Sequence, residues 1–378
     1  MQMNQTGAGA LSGCKVVDLS RVLGGPYCTQ ILGDHGADVI KIEPPAGDET
    51  RGWGPPFLDG TASYFLGVNR NKYGLSLDLS LPQGQAFLRT LLKDADVLVE
   101  NFKPGTLEKW GLDSKSLADE FPRLVHCRIS GFGADGPLGG LPGYDACAQA
   151  LCGLMSVNGN ADGAPTRVGL PVVDMVTGLN AALAILLAIN ERNRSGKGQF
   201  LDITLFDCAI SLLHPHAANY FLSGDIPQRT GNAHPNIAPY DSFPTRDGEI
   251  FLAVGNNRQF ELLGKVLEAP WLARDERFAS NADRLKNRQI LRALLTDLLK
   301  GHVAADLAQT LLETGVPAAP VLNAGELLNH PHTHHRGMVI EEGSYRAIAS
   351  PIKLSRTPAT LRRLPPAFGQ HNEEFGAV

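Results

Sequence analysis

Apolar and polar positions in the first part of the chain predict short strands that alternate with helices. Residues 14–19 form a brief apolar run, residues 27–36 predict a helix, and residues 38–43 form a second apolar run. A strand, a short loop, a helix and a strand within about thirty residues make a βαβ unit. The pattern recurs in strand 76–79, helix 82–93, strand 96–100, a helix near 117–120 and strand 124–129. We therefore predict an α/β fold with a mostly parallel, doubly wound sheet.

The stretch 169–178 places a single carboxylate, Asp174, just before the apolar run 179–189, which predicts a buried helix. Because Pro171 cannot lie inside a helix, the helix should begin close to Asp174 and end near residue 194. Backbone N–H groups at a helix start would keep this carboxylate ionised at neutral pH. Asp174 is therefore either a helix N-cap, which is the commoner role, or a nucleophile.

The pattern changes after residue 223. A turn at 195–198, strand 199–204 and helix 205–222 precede the stretch 223–239, which is polar and rich in Gly, Pro and His. A strand pair around the turn 246–248 and several helices then indicate a smaller α+β domain. Those helices are expected at 259–267, 287–300 and 303–314. We expect a large first domain at 11–224, a small domain at 225–316, and a C-terminal return to the large domain at 317–378.

Composition places the chain among ordinary globular proteins. It has 378 residues, of which 43% are hydrophobic and 19% charged, and a formal net charge of −5, which gives no support for a nucleic-acid or anionic-membrane partner. Six cysteines without a CxxC pair suggest free thiols in a reducing compartment. The first ten residues show no signal-peptide pattern, and the apolar run 179–189 is shorter than the roughly 20 residues of a membrane helix. We expect a cytoplasmic protein.

Several predicted loops carry groups that suit an anionic ligand. The turn 21–26 follows the first strand, where open parallel sheets bind ligands, although it is not a G-x-G-x-x-G motif. Arg70 and Lys72 precede a predicted strand, and Lys103 follows another, with Lys109 a little further along. Cations and backbone N–H groups at strand ends suit phosphates. Two such clusters favour a nucleotide-like ligand over solvated loops.

Other loops are glycine-rich or histidine-rich. Residues 129–145 form a long glycine-rich connection that could equally be a surface loop, and Tyr144 and Asp145 are its main polar side chains. Residues 253–257 offer glycine and asparagine for a carboxylate or thioester oxygen, or simply a turn. Four histidines, His330, His332, His334 and His335, lie in a proline-interrupted loop without an accompanying cysteine or HExxH helix, so we expect no functional metal. No G-x-S-x-G elbow and no P-loop is present.

Together these segments resemble the class III CoA-transferases, the CaiB/BaiF-like family. No single segment is decisive, but their order and spacing are specific, and the resemblance runs from about residue 11 to residue 370. The matching segments are 11–26, 36–43, 47–51, 69–72, 99–105, 143–145, 153–156, Asp174, 195–198 and 255–257.

The resemblance implies a large Rossmann-like domain built from both chain ends, a smaller domain from the middle, and a homodimer whose two subunits are interlocked. It places the family's nucleophile at Asp174, which attacks an acyl-CoA thioester to give an aspartyl–acyl anhydride and then an aspartyl-CoA thioester. Coenzyme A would enter as the co-substrate acyl-CoA, with a carboxylic acid as acceptor and with neither a metal nor NAD.

The family's coenzyme contacts map by position onto a set of loop residues. Two of them depart from a formyl-CoA transferase. That enzyme has Arg where this chain has Lys109, and a lysine does not provide the bidentate phosphate binding of an arginine. It has Gln where this chain has Leu23, which argues against formate and oxalate as substrates. The acyl side maps to Gly255, Asn256 and Asn257. The implied coenzyme contacts are Val22, Leu23, Leu77, Asn101, Phe102, Lys103, Lys109, Pro142, Gly143, Tyr144 and Asp145, to which the cationic cluster adds Arg70 and Lys72.

Within the family, segments 51–57, 68–72 and 255–260 look most like the succinate–hydroxymethylglutarate CoA-transferases. That resemblance implies succinyl-CoA as donor and a dicarboxylic acid as acceptor. A second carboxylate needs a cation, and Arg51, Arg167 and Arg258 are equal candidates. The alternatives are an α-methylacyl-CoA racemase, which would need a His where Tyr144 stands, a nicotinamide dehydrogenase, which would need a glycine fingerprint, and a non-catalytic CoA-binding protein.

Overall fold

A six-stranded parallel sheet forms the centre of the larger part of the molecule. The computed structural model describes residues 9–377, and the predictions for the first ten residues fall mostly outside that range. The strands lie in the order β3-β2-β1-β4-β5-β6, the arrangement of a doubly wound Rossmann-type sheet. They are β1 (Lys15–Asp18), β2 (Asp38–Glu43), β3 (Lys72–Ser76), β4 (Val97–Glu100), β5 (Val125–Ser130) and β6 (Phe200–Thr204). The predicted α/β class and parallel sheet are confirmed.

Apolar side chains cover both faces of this sheet. Successive residues of a strand point to opposite faces, so Val16 packs into the cluster on one face and Val17 into the cluster on the other. Helices complete both layers, as parallel sheets require. The helices are α1 (Gly24–Asp34), α2 (Pro82–Leu92), α3 (Ser114–Glu120), α4 (Asp145–Leu151), α5 (Val172–Ser195), α6 (Leu205–Ser211) and α7 (His216–Ser223).

The long helix α5 packs closely against α1. A Cβ atom added at Gly178 would lie 2.6 Å from the Gly24 carbonyl oxygen, so only glycine allows this approach. An 18-residue window of α5 has a mean hydropathy of 2.1, and by length and composition alone the helix could cross a membrane. Val173, Ala181 and Ile185 belong to the hydrophobic cluster that α5 shares with the sheet, which identifies it as a core helix.

Several element boundaries differ from the predictions. Helix α1 begins at Gly24 rather than Tyr27, and the strand expected at 76–79 lies at Lys72–Ser76. The helix expected over 205–222 is two helices, because Pro215 lacks the N–H group that a continuous helix would need.

The chain divides into two compact units. Unit 1 contains the described residues up to Leu154, Val168–Ala218 and the residues from His335 onward, and unit 2 contains Met155–Arg167 and Asn219–His334. The predicted domain bounds 11–224, 225–316 and 317–378 remain a prediction, and unit 1 contains both chain ends, as the family resemblance implied.

Unit 2 has its own antiparallel sheet and hydrophobic core. Its sheet has the order β9-β8-β7, and its helices pack around Phe243, Leu252 and Phe260. The elements are β7 (Tyr240–Pro244), β8 (Glu249–Ala253), α8 (Asn257–Val266), α9 (Arg288–Leu299), α10 (Ala304–Thr314) and β9 (Ala318–Pro320). The predicted hairpin and all three predicted helices are present, so the α+β character of this region is confirmed.

Short elements complete the described chain. The two-stranded pairs are Phe57–Leu58 with Thr61–Ala62 and Val339–Glu342 with Tyr345–Ile348. The short α-helices are Ser63–Leu66, Thr106–Lys109, Leu154–Val157, Asn281–Lys286, Ala324–Leu328, Pro331–His335 and Asn372–Phe375, and the 3₁₀ turns are Glu49–Gly52, Leu272–Arg274 and Glu276–Phe278.

Candidate active site

A cavity of about 210 Å³ opens at the carboxyl edge of the large sheet. The strand order reverses between β1 and β4, and doubly wound sheets bind ligands at such a point. The loops that follow β1, β4 and β5 meet there, and Asp174 on α5 forms part of the wall. The lining residues are Arg21, Val22, Leu23, Gly24, Gly25, Glu49, Asn101, Phe102, Lys103, Pro104, Ile129, Ser130, Gly131, Leu141, Pro142, Gly143, Tyr144, Asp174 and Leu205.

The structure brings most of the predicted coenzyme contacts together around Asp174. These are Val22, Leu23, Asn101, Phe102, Lys103, Pro142, Gly143 and Tyr144. Sequence reasoning marked the turn that holds Arg21 but assigned no role to its side chain. Glu49 lies in the matching segment 47–51 but was given no role, because a glutamate in a polar loop gives no distinctive signal.

Arg70 and Lys72 are not available to a ligand in this structure. The Arg70 guanidinium donates two hydrogen bonds to Asp34, and both side chains are buried. The Lys72 ammonium is fully buried and donates to Asp18, to Asn69 and to the Pro26 carbonyl oxygen. Neither cation lines the cavity, so the proposal that they cradle a phosphate is not supported. The positive charges of Arg70 and Lys72 do bind anions, but these anions are the carboxylates of Asp34 and Asp18.

Six further predicted positions also lie outside the cavity wall. Leu77 packs in the hydrophobic cluster behind the sheet, and Lys109 is exposed on the short helix Thr106–Lys109. Asp145 is buried at the start of α4. Gly255, Asn256 and Asn257 belong to unit 2, where the Asn256 side chain caps α8 by accepting from the Gln259 N–H group. Their proposed acyl-side role remains a prediction.

Asp145, rather than Asp174, caps the helix that carries the candidate nucleophile. Pro171 occupies the N-cap position of α5 and contributes no side-chain hydrogen bond. One carboxylate oxygen of Asp145 accepts instead from the N–H groups of Val173 (2.8 Å) and Asp174 (3.2 Å). These donors satisfy a carboxylate from α4, so the prediction that Asp174 is itself the cap is wrong.

Gln149 stabilises the position of Asp145 and of the segment that precedes α5. Its side chain is fully buried, and its amide nitrogen donates to the second oxygen of Asp145 (2.7 Å) and to the Leu170 carbonyl oxygen (3.3 Å). Its amide oxygen accepts from the Val168 N–H group (2.9 Å). One glutamine therefore joins α4 to the segment that leads into Asp174.

The Asp174 carboxylate has an unusually high proton affinity for an aspartate. Burial, and then the charge of Asp145, raise its pKa from 3.8 to about 7. The expectation of a fully ionised carboxylate stabilised by helix N–H groups is therefore wrong, because Asp145 takes those donors. A carboxylate with a pKa near 7 is a better nucleophile than an ordinary one, since it is less stabilised as an anion, yet a large fraction is ionised at neutral pH.

Substituting Asp145 by Asn is predicted to move the pH dependence of the reaction to lower pH. The variant keeps the acceptor oxygen for the α5 N–H groups but removes the negative charge that raises the pKa of Asp174. The rise of kcat/KM with pH, which we expect to be centred at about pH 7 in the unaltered protein, should shift down by roughly one unit.

Asp119→Asn provides the control for this experiment, because Asp119 is an exposed carboxylate on α3. It should leave the pH profile unchanged. An Asp145→Asn profile with the same midpoint as the unaltered protein would contradict the assignment of the raised pKa to this pair.

One further side chain bears on the electrostatics of the site. Tyr64 has a pKa raised to about 12 by burial and then by the negative charges of Asp174, Asp145 and Asp48. It therefore remains a neutral phenol near the nucleophile.

Among residues 9–377, no group of three or more His, Cys, Asp or Glu side chains is arranged to hold a metal ion.

Comparisons with known proteins show the family of this chain. A family model described as CoA-transferase family III matches residues 11–372. A succinate–glutarate CoA-transferase of Agrobacterium fabrum is 41% identical over 377 residues, covering 96% of this chain and 94% of that protein. The human succinyl-CoA:glutarate CoA-transferase is 37% identical, covering 96% of this chain and 84% of its own.

A solved structure shows the same fold throughout. A CaiB/BaiF family protein from Brucella suis superposes with a TM-score of 0.88 at 41% identity, covering 98% of this chain and 99% of that one. The family match, the level of identity and the shared fold all point to one family. The chain is an enzyme of CoA-transferase family III, the CaiB/BaiF family.

Proposed function

We propose that this enzyme transfers CoA from succinyl-CoA to a dicarboxylic acid, with glutarate as the best candidate, and that Asp174 carries the reaction covalently. The observation that carries the proposal is the position of Asp174 in the wall of the cavity. The N–H groups at the start of α5 donate to Asp145 and not to the Asp174 carboxylate. The names of the relatives support the substrates.

The first half of the reaction moves CoA onto Asp174. A carboxylate oxygen of Asp174 attacks the thioester carbonyl of succinyl-CoA, the C–S bond breaks, and a mixed anhydride and the CoA thiolate result. The thiolate then attacks the aspartyl carbonyl, and succinate leaves. The product is an aspartyl-CoA thioester, so the energy of the thioester is conserved.

The second half repeats these steps in reverse with the acceptor. A glutarate oxygen attacks the aspartyl thioester and releases the thiolate, which then attacks the glutaryl carbonyl of the new anhydride. Glutaryl-CoA leaves, and Asp174 regains a carboxylate that contains one oxygen from glutarate.

The cavity is suited to these steps. Gly24 borders the nucleophile: a Cβ atom there would be in ordinary contact with the Asp174 carboxylate at 3.7 Å, and its absence leaves that space to the substrate. Gly24 and Gly25 also open the first turn of α1, where N–H groups lack partners within the helix and can stabilise an oxyanion. Lys103 supplies a cation at the cavity wall for the coenzyme.

The test uses glutarate labelled with ¹⁸O in both carboxylates. Incubation with succinyl-CoA should yield glutaryl-CoA and succinate, and the peptide that contains Asp174 should gain heavy oxygen, because each turnover leaves one acceptor oxygen on the nucleophile. Glutaryl-CoA formation without label on this peptide would overturn the covalent role of Asp174. Racemisation of a 2-methylacyl-CoA without an acceptor acid would instead favour the racemase alternative, which lacks its expected histidine because Tyr144 stands there.

We also propose that the enzyme is a homodimer with interlocked subunits in the cytoplasm. An apolar stripe on α5 supports an interface between two chains, because four leucines at helical spacing remain 39–61% exposed in the single chain. They are Leu179, Leu183, Leu186 and Leu187.

Charged residues in this stripe are predicted to weaken assembly. The unaltered protein should sediment with the mass of two 40.5 kDa chains, and Leu183→Glu with Leu187→Glu should shift it toward the mass of one chain, since each buried carboxylate would lack a partner. Lys197→Glu, a change of an exposed residue in the turn after α5, is the control and should leave the mass unchanged. A single-chain mass for the unaltered protein would contradict the homodimer.

A further inference from the structure

Arg21 presents a partly free guanidinium to the cavity that contains Asp174. It lines the cavity together with Glu49, and one of its nitrogens donates a hydrogen bond to a Glu49 oxygen at 3.1 Å. The two side chains are 38% and 36% exposed. Because both side chains are this exposed, the Arg21 guanidinium can exchange Glu49 for an anion from solution.

The backbone that carries Arg21 is held firmly. The Asn101 side chain accepts from the Arg21 N–H group (2.9 Å) and donates to the Arg21 carbonyl oxygen (2.8 Å). Val22 adopts a φ of 70°, a region that a β-branched residue rarely enters unless its surroundings impose it. The guanidinium therefore extends from a fixed turn, and backbone strain of this kind is typical of functional sites.

Lys41 fixes both members of the ion pair from the interior. Its fully buried ammonium donates to the Ser20 carbonyl oxygen (2.8 Å) and to the Asp48 carboxylate (3.0 Å). Ser20 directly precedes Arg21, and Asp48 directly precedes Glu49. One buried cation thus sets the separation of the two side chains at the cavity wall.

Arg51 is the one of the three arginines proposed from sequence that lies in unit 1, and its guanidinium already has partners within the protein. Arg51 donates two hydrogen bonds to Glu43 and a third to the Pro366 carbonyl oxygen, and its guanidinium stacks on Phe65 at 3.7 Å. It does not line the cavity. The other two sequence candidates, Arg167 and Arg258, lie in unit 2.

We propose that Arg21 binds the remote carboxylate of the dicarboxylic substrate and that Glu49 is its counter-ion when the site is empty. The inference rests on the proposed function. The cavity, at about 210 Å³, is smaller than the about 300–1,000 Å³ of typical ligand pockets, so it suits the acyl end and the thioester rather than the whole coenzyme. A guanidinium can bind a carboxylate with two parallel hydrogen bonds, whereas it makes a single one to Glu49 here.

The test compares glutarate with pentanoate, which has the same number of carbons but lacks the second carboxylate. Arg21→Gln should lower the ratio of kcat/KM for glutarate to that for pentanoate by about 10- to 100-fold, the effect of losing charged hydrogen bonds. Arg21→Lys should restore part of the ratio. Glu49→Gln should raise it, because the competing carboxylate is gone.

Two controls separate this role from coenzyme binding. Lys103→Gln removes the other cation of the cavity wall and should weaken both acids equally, through the coenzyme. Succinyl-pantetheine, which lacks all the phosphates of CoA, should still be a poorer donor with Arg21→Gln than with the unaltered enzyme.

Three results would overturn the inference. An unchanged glutarate-to-pentanoate ratio in Arg21→Gln would do so, as would an equal rise in KM for succinyl-CoA and butyryl-CoA, which would assign Arg21 to the phosphates. Full activity of Arg21→Gln with succinyl-pantetheine would have the same meaning. A failure of the proposed function is distinct from these, because the unaltered protein would then transfer CoA to neither acid.

Discussion

Replacing Asp174 by Asn is expected to lower kcat by at least about 10⁴-fold while leaving the fold intact. The amide has the shape of the carboxylate, but it cannot attack a thioester or form an anhydride. The measurement is steady-state CoA transfer from succinyl-CoA to glutarate, together with tryptic mass spectra of the enzyme mixed with succinyl-CoA alone. A variant that keeps more than a tenth of the activity would exclude Asp174 as the nucleophile.

The same variant should be more stable than the unaltered protein at pH 8. Because the pKa of Asp174 rises from 3.8 to about 7 on folding, the folded state binds this proton more tightly than the unfolded chain. The resulting stabilisation is complete below pH 4 and is lost as the pH rises through 7. The displacement of the pKa corresponds to at most about 4 kcal/mol. Urea denaturation of both proteins at pH 4.5 and pH 8 would measure the difference, and it confirms that Asp174→Asn folds.

Replacing Lys72 by Met should produce the largest loss of stability. The variant leaves the fully buried Asp18 carboxylate without its cation, and breaking a buried pair in this way typically costs about 3–5 kcal/mol. Burial lowers the pKa of Lys72 to about 8 despite the nearby Asp18, so the ammonium itself is costly to bury. The double variant Asp18→Asn with Lys72→Met should therefore recover most of the loss.

A surface lysine provides the comparison. Lys15 is 52% exposed and lies 3.9 Å from Asp94, so Lys15→Met should change the free energy of unfolding by less than about 0.5 kcal/mol. Urea denaturation with unchanged m values is the appropriate measurement for all three variants. If Lys72→Met cost no more than Lys15→Met, the buried pair would contribute nothing to the stability of the sheet.

The sheet was predictable because most strands contain apolar residues within a short segment that turn or loop residues bound. Residues 38–43 match the observed β2 without any shift, since Pro44 and Pro45 end the strand and a polar turn precedes it. The helix over 205–222 was predicted wrongly as continuous because its apolar spacing persists through Pro215. Local pattern therefore determined the order of elements better than their ends.

The wall of the site was only partly predictable. Loops that follow strands of a parallel sheet must meet at one edge, so the pattern predicted ligand-binding loops there. The placement of Asn101 and Tyr144 in one site with Asp174 came from the family resemblance, and all three residues line the cavity. Charge alone could not show that Arg70 faces Asp34 and that Arg21 faces the cavity. That distinction depends on partners distant in sequence, which no local pattern reports.

The cap that Asp145 provides to α5 has a consequence for protein engineering. The segment 169–178 does not contain all the groups that set the proton affinity of its own nucleophile, because Asp145, whose charge adds to the effect of burial, belongs to α4. Grafting this segment onto another parallel sheet would transfer the aspartate but not its reactivity. A transplantable unit must include α4, the strand-end turn before α1 and α5 together, and a graft that omits α4 should yield an aspartate whose pKa is raised less than in this protein.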